Sequence, residues 1–153
     1  MRHDWRRLAV GTVVLLVAGA CTDSLSIDEV IGEWEAVSVN GTPVPGEVLI
    51  FVGDSTRTIP IEYDRFQFFE GGKCLSLLQY ETARRTECEY RIDVERQTVT
   101  IEFPMIGPPF AFEIPGTFDG GQLTLRIPNR GGPPNVSVYQ RRGDIPFGVR
   151  APS

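Results

Sequence analysis

Histidine is nearly absent from this chain of 153 residues, and its single copy is His3. Lysine is as scarce, with Lys73 alone. Once residues 1–20 are set aside, as argued below, no histidine remains. That takes away the commonest general base near neutral pH. It excludes Ser-His-Asp and Cys-His catalysis of the usual kind, and histidine-ligated zinc. Runs of like charge are also missing, so the concentrated basic patch that nucleic-acid binding needs is not there. There is no internal repeat and no low-complexity segment. These absences predict a protein that is not an enzyme, holds no cofactor or metal and has no nucleic-acid partner.

The opening segment is rich in information. Arg2, Arg6 and Arg7 precede thirteen uncharged residues, Leu8 to Ala20, that end in small side chains. A membrane span needs about 20 apolar residues, so this stretch is too short to cross. It suits the apolar region and cleavage site of an export signal. Val17-Ala18-Gly19-Ala20-Cys21 resembles a bacterial lipobox. The resemblance implies that residues 1–20 are a signal peptide, that Cys21 is lipidated, and that acyl chains such as palmitate anchor the chain to a membrane. Two or more acyl chains give stable anchoring where one does not. Thr22, in place of aspartate, points by the same analogy to an outer membrane of the cell envelope. Three of the 15 basic residues and one of the 20 acidic ones lie in the signal. The remaining 133 residues carry 12 basic and 19 acidic groups, a net charge of −7, and suffice for one domain with its own core.

Of three cysteines, only Cys74 and Cys88 remain once Cys21 is lipidated. In an exported protein two thiols usually pair. Their spacing matches neither a C-x-x-C redox motif nor a four-ligand metal cluster. The bridge would close a loop of about 15 residues, worth about 3 kcal/mol in the chain-entropy picture.

Ser26 to Ile31 makes at most one helical turn, with Ser26 as its cap and Glu29 three residues on. After that, proline and glycine interrupt the chain too often for long helices. Period-two alternation takes over. Cys88, Tyr90, Ile92 and Val94 alternate with charged residues. Val99, Ile101 and Phe103 do so with Thr98, Thr100 and Glu102, as do Phe110, Phe112 and Ile114 around Glu113, and Leu123, Leu125 and Ile127 around Arg126. Strands are predicted at 33–39, 47–52, 59–69, 73–80, 86–94, 97–103, 110–117, 122–127 and 135–141. The fold class is all-β: an antiparallel up-and-down meander closed into a barrel of eight to nine strands, which leaves no unpaired edge. A hairpin of 73–80 with 86–94, centred near Glu81, sets Cys74 opposite Cys88. Residues 27–142 form the barrel, 21–26 a lipidated tether and 143–153 an irregular tail.

Gly32-Glu33-Trp34, just after the helical turn and at the start of the first strand, is similar to the lipocalin signature. The run through Asn40-Gly41-Thr42-Pro43-Val44-Pro45 and the closing Val138-Tyr139-Gln140-Arg141-Arg142 look like bacterial lipocalin-like lipoproteins. The resemblance implies that Gly32, Trp34 and an arginine of the last strand, Arg141 or its neighbour Arg142, close one end of the barrel. The arginine would stack on the tryptophan ring, a contact worth about 0.5–2 kcal/mol.

A barrel of this size holds one small ligand or is filled by its own side chains. Phe66, Phe68, Tyr90, Phe103, Phe110 and Phe112 are the candidate lining residues, and each serves equally well as core. Glu33, Glu35, Glu62 and Asp64 offer carboxylate pairs, but acidic residues alternating with apolar ones read as a solvated strand face. The expected function is a monomeric, lipid-anchored envelope protein that binds a small apolar ligand or lipid in the barrel mouth. The competing expectation is an envelope interaction module with a filled barrel and no ligand.

Overall fold

The structure, a computed structural model, describes residues 25–80, 82–104, 111–119 and 121–143. It begins with a single turn of helix, α1 (Ile27–Val30). A reciprocal capping box holds the turn: Glu29 N donates to Ser26 Oγ at 3.3 Å, and Ser26 N donates to Glu29 Oε2 at 2.6 Å. Eleven strands follow: β1 (Gly32–Val39), β2 (Thr42–Pro43), β3 (Gly46–Val52), β4 (Ser55–Ile61), β5 (Tyr63–Phe68), β6 (Lys73–Gln79), β7 (Ala83–Asp93), β8 (Thr98–Pro104), β9 (Ala111–Asp119), β10 (Gln122–Ile127) and β11 (Asn135–Arg142).

β1 and β5 to β11 form a closed antiparallel barrel of eight strands, sealed where β11 pairs with β1. The short β2 adds to the far end of β1. The all-β barrel expected from alternation is therefore the fold, with two differences. The predicted strand 47–52 does not enter the barrel. It pairs with β4 from Gly46↔Ile61 to Val52↔Ser55, making a separate hairpin. The predicted strand 59–69 is two strands, broken at Glu62, where the chain leaves that hairpin and enters the barrel. The hairpin turns at Gly53-Asp54, and Gly53 has φ +64°, a conformation that glycine adopts without strain.

The strand faces follow the sequence pattern. Val99, Ile101, Ile114, Leu123 and Leu125 are buried inside the barrel. In β1 the register slips between Ala36 and Ser38, so Val37 is an extra residue. Such a bulge changes which residues face inward. Trp34 and Ala36 point in before it, and Val39 is buried after it, opposite Ser137.

Cys74 lies opposite Cys88 in the β6–β7 pairing, and the two form a disulfide with Cα atoms 4.8 Å apart. Aromatic rings fill the centre. Phe66 meets Tyr139 edge-on at 5.5 Å and stacks with Phe68 at 6.0 Å, while Phe68 meets Tyr90 edge-on at 4.9 Å. Each such contact adds about 0.5–1.5 kcal/mol beyond area burial. The middle of the barrel is thus a packed core.

Candidate ligand site at the hairpin-flanked mouth

The barrel has two unlike ends. At one, Trp34 Nε1 donates to the Val30 carbonyl at 2.9 Å, tying β1 to α1. Arg141 is the direct partner of Trp34 across β1 and β11. Its guanidinium donates to the carbonyls of Ile31 at 2.8 Å and Asp28 at 3.5 Å. Gly32 has φ +131°, and a Cβ there would lie 3.4 Å from Arg141 Nε. Gly32, Trp34 and Arg141 therefore meet at this end, where the arginine's hydrogen bonds go to backbone carbonyls. A hollow of about 380 Å³ lies beside them, between Leu25, Trp34, Phe118 and Arg141.

At the opposite end, the β3–β4 hairpin packs against the rim. Val39, Val48 and Ile61 form a second small core with Val44, Ile50, Ile59, Leu78 and Tyr80 around it. Three asparagines fasten the hairpin. Asn135 Oδ1 accepts from Phe51 N at 2.7 Å, and its Nδ2 donates to Phe51 O at 2.9 Å, so the side-chain amide acts as a strand segment. Asn129 makes the same paired contact with Gly53, at 2.7 and 2.8 Å. Asn40 donates to Leu49 O at 2.7 Å and to Asn135 Oδ1 at 2.8 Å.

Between hairpin and rim lies a cavity of about 420 Å³. Ile50, Ile59 and Ile61 line it from the hairpin, and Val39, Leu78 and Ile127 from the barrel. Its volume is in the range of roughly 300–1,000 Å³ that small-molecule sites occupy. Arg57 and Tyr80 also line it, and the Arg84 guanidinium lies over the Tyr80 ring, 5.2 Å from its centroid, a cation–π contact.

Besides Arg57 and Tyr80, the polar part of the cavity is formed by Asp64, Ser137 and Asn135. Asp64 shares the inward face of β5 with Phe66 and Phe68, and it is 8% exposed. Its Oδ2 accepts from the Tyr139 hydroxyl at 2.7 Å. Burial pushes the carboxyl up to about 6, against the opposing pull of that hydrogen bond. Burial and the adjacent carboxylate together hold the Tyr139 hydroxyl well above its ordinary value. Ser137 is 1% exposed, and its Oγ makes no hydrogen bond of full geometry among the described residues, although its side chain lies close enough to the Tyr139 hydroxyl to oppose the upward shift there.

The residues proposed from sequence fall elsewhere. Phe66, Phe68 and Tyr90 belong to the filled core, and Phe103 and Phe112 pack against it. None of the five lines the mouth cavity. Several of their rings meet one another across the interior. Phe110 and Cys21 lie outside the described residues, as do residues 21–24 of the tether and 144–153 of the tail. The carboxylates also separate. Glu33 and Glu35 lie on the outer face of β1 with Arg65 and Arg142, the closest contact being Arg65 to Glu35 at 2.6 Å. Asp64 points the other way, into the barrel, so the four do not form one acid–base pair.

Among the described residues no group of three or more His, Cys, Asp or Glu side chains could hold a metal ion, and no helix is long and apolar enough to cross a membrane. No family model, curated protein or solved structure matches the chain.

Proposed function

We propose that this chain is a lipid-anchored binding protein of the cell envelope, and that its barrel mouth takes a small, mainly apolar molecule or lipid. The observation that carries the reading is the cavity of about 420 Å³ between Ile50, Ile59 and Ile61 of the hairpin and Val39, Leu78 and Ile127 of the barrel. In this reading the ligand sits in the mouth, as the sequence suggested, but against the aliphatic residues under the hairpin, because the aromatic candidates belong to or pack against the core. Lipobox-like residues before Cys21 supply the anchor in this reading, and the lipocalin-like Gly32-Glu33-Trp34 agrees with a barrel used for binding.

The second reading, an interaction module without a ligand, draws on the filled core and on two large apolar side chains of β3, Leu49 and Val52, each 43% exposed. Exposed apolar residues of this kind suit a protein partner only as a contiguous patch. Native mass spectrometry of the protein purified from its own membrane separates the two. A copurifying small molecule supports the binding reading, and a ligand-free mass together with no uptake of apolar probes overturns it.

A further inference from the structure

The mouth cavity contains more polarity than an apolar ligand needs. A buried carboxylate costs free energy unless it is well supplied with donors, and an ionised one has about four acceptor sites. Among the described residues, Asp64 has one hydrogen-bond donor, Tyr139. Beside it the Ser137 hydroxyl, on the inner face of β11, is buried and makes no hydrogen bond of full geometry, although it lies close enough to Tyr139 to act on that hydroxyl. Both residues line the cavity. Two under-satisfied oxygen groups, one of them a carboxylate, at the end of an apolar hollow form a site for a donor-bearing cationic head on an apolar body.

We propose that the mouth binds small amines, with the apolar body between Ile59 and Leu78 and the ammonium group on Asp64 and Ser137. This rests on the proposed binding function and names its ligand class. The ammonium group donates to the free acceptor positions of Asp64 and to Ser137 Oγ, and its charge offsets that of the carboxylate. An anionic head could accept from the Ser137 hydroxyl and from Arg57 on the cavity wall, but it has no donor for Asp64 and is repelled by that carboxylate. A neutral alcohol supplies one weaker donor. Charge-assisted hydrogen bonds exceed neutral ones by about 1 kcal/mol or more, so an amine should bind about tenfold more tightly than the matching alcohol.

The charged and titratable surroundings of Asp64 are simple. Tyr139 reaches it from β11, and Arg57 from β4 and Tyr80 after β6 line the same cavity. The inward neighbours from β1 and β6 are apolar, Val39 and Leu78. Burial raises the Asp64 carboxyl to about 6, so it loses its charge between pH 7.5 and 5.

The test uses the processed lipoprotein extracted from its membrane, with empty micelles as the blank. Cyclohexylamine, cyclohexanol and cyclohexanecarboxylate are titrated while the methyl NMR signals of Ile50, Ile59 and Ile61 are followed. The expected order is amine, then alcohol about tenfold weaker, then carboxylate. Asp64→Asn keeps an acceptor for Tyr139 and should reduce amine affinity to the level of the alcohol. Should that variant not fold, lowering the pH of the wild type from 7.5 to 5 should weaken the amine and leave the alcohol unchanged. Equal binding of amine and alcohol at these methyls, or preference for the carboxylate, overturns the amine assignment while leaving the cavity a binding site. No perturbation by any of the three overturns the binding function itself.

Discussion

Asp64 is where the charge pattern and the strand pattern of the sequence disagree. Taken with Glu33, Glu35 and Glu62 it looks like one more acidic residue on a wet face. Taken by parity it stands two residues before Phe66 and four before Phe68, so it shares their face and must be buried. Parity wins, because a strand cannot turn a single side chain to the other side without a bulge. The energetic result is a destabilising group. Its folded-state value is about 6 against an ordinary 3.8. The folded protein therefore binds the extra proton between about pH 4 and 6, and stability falls as pH rises through that window. About two pH units correspond to about 3 kcal/mol. Asp64→Asn should accordingly raise stability at pH 7.5 by up to about 3 kcal/mol and have little effect at pH 4. Urea melts at the two pH values check this, and a variant less stable than wild type at pH 7.5 contradicts it.

At the scale of elements, the barrel strands were legible and the hairpin was not. Alternation in 88–92, 99–103, 112–114 and 123–127 identifies inward residues correctly because each strand has one buried and one wet face; Val94, predicted inward, lies past the end of β7 and is exposed. Cys74 and Cys88 fall opposite each other because a hairpin centred near residue 81 leaves no other register. Replacing both with alanine should lower stability by about 3 kcal/mol, measured by chemical denaturation, and unchanged stability would show that the bridge adds nothing. The 47–52 segment is a continuous apolar run from Val48 to Val52, so its pattern reads as a strand but could not reveal that it pairs only with 55–61. What distinguishes it is long-range: the amides of Asn129 and Asn135 replace a neighbouring strand. In sequence both asparagines look like ordinary turn residues. Asn135→Ala leaves the Phe51 N–H and carbonyl without these partners, a loss of about 1–3 kcal/mol. Amide exchange at Phe51 should quicken by about tenfold or more relative to Ile101 in the barrel. Equal exchange ratios in variant and wild type would remove Asn135 from its role as a fastener.

At the scale of the whole molecule, the candidate site was partly legible. A mouth site was expected from the barrel, but its lining was assigned to aromatics. Rings that size pack against one another across eight strands, and the lining falls to the smaller aliphatics Val39, Ile50, Ile59, Ile61, Leu78 and Ile127 at the rim. The anchor rests on Cys21: Cys21→Ser should abolish acyl labelling, and labelling that persists would refute lipidation there. The central claim, a mouth that holds a small molecule under the hairpin, is tested most directly by native mass spectrometry of the protein taken from its own membrane, beside an Ile59→Trp variant that fills the cavity. The expected result is a copurifying small molecule on the wild type that is absent from the variant. A wild type that emerges without ligand and takes up none of the apolar or amine probes would contradict it.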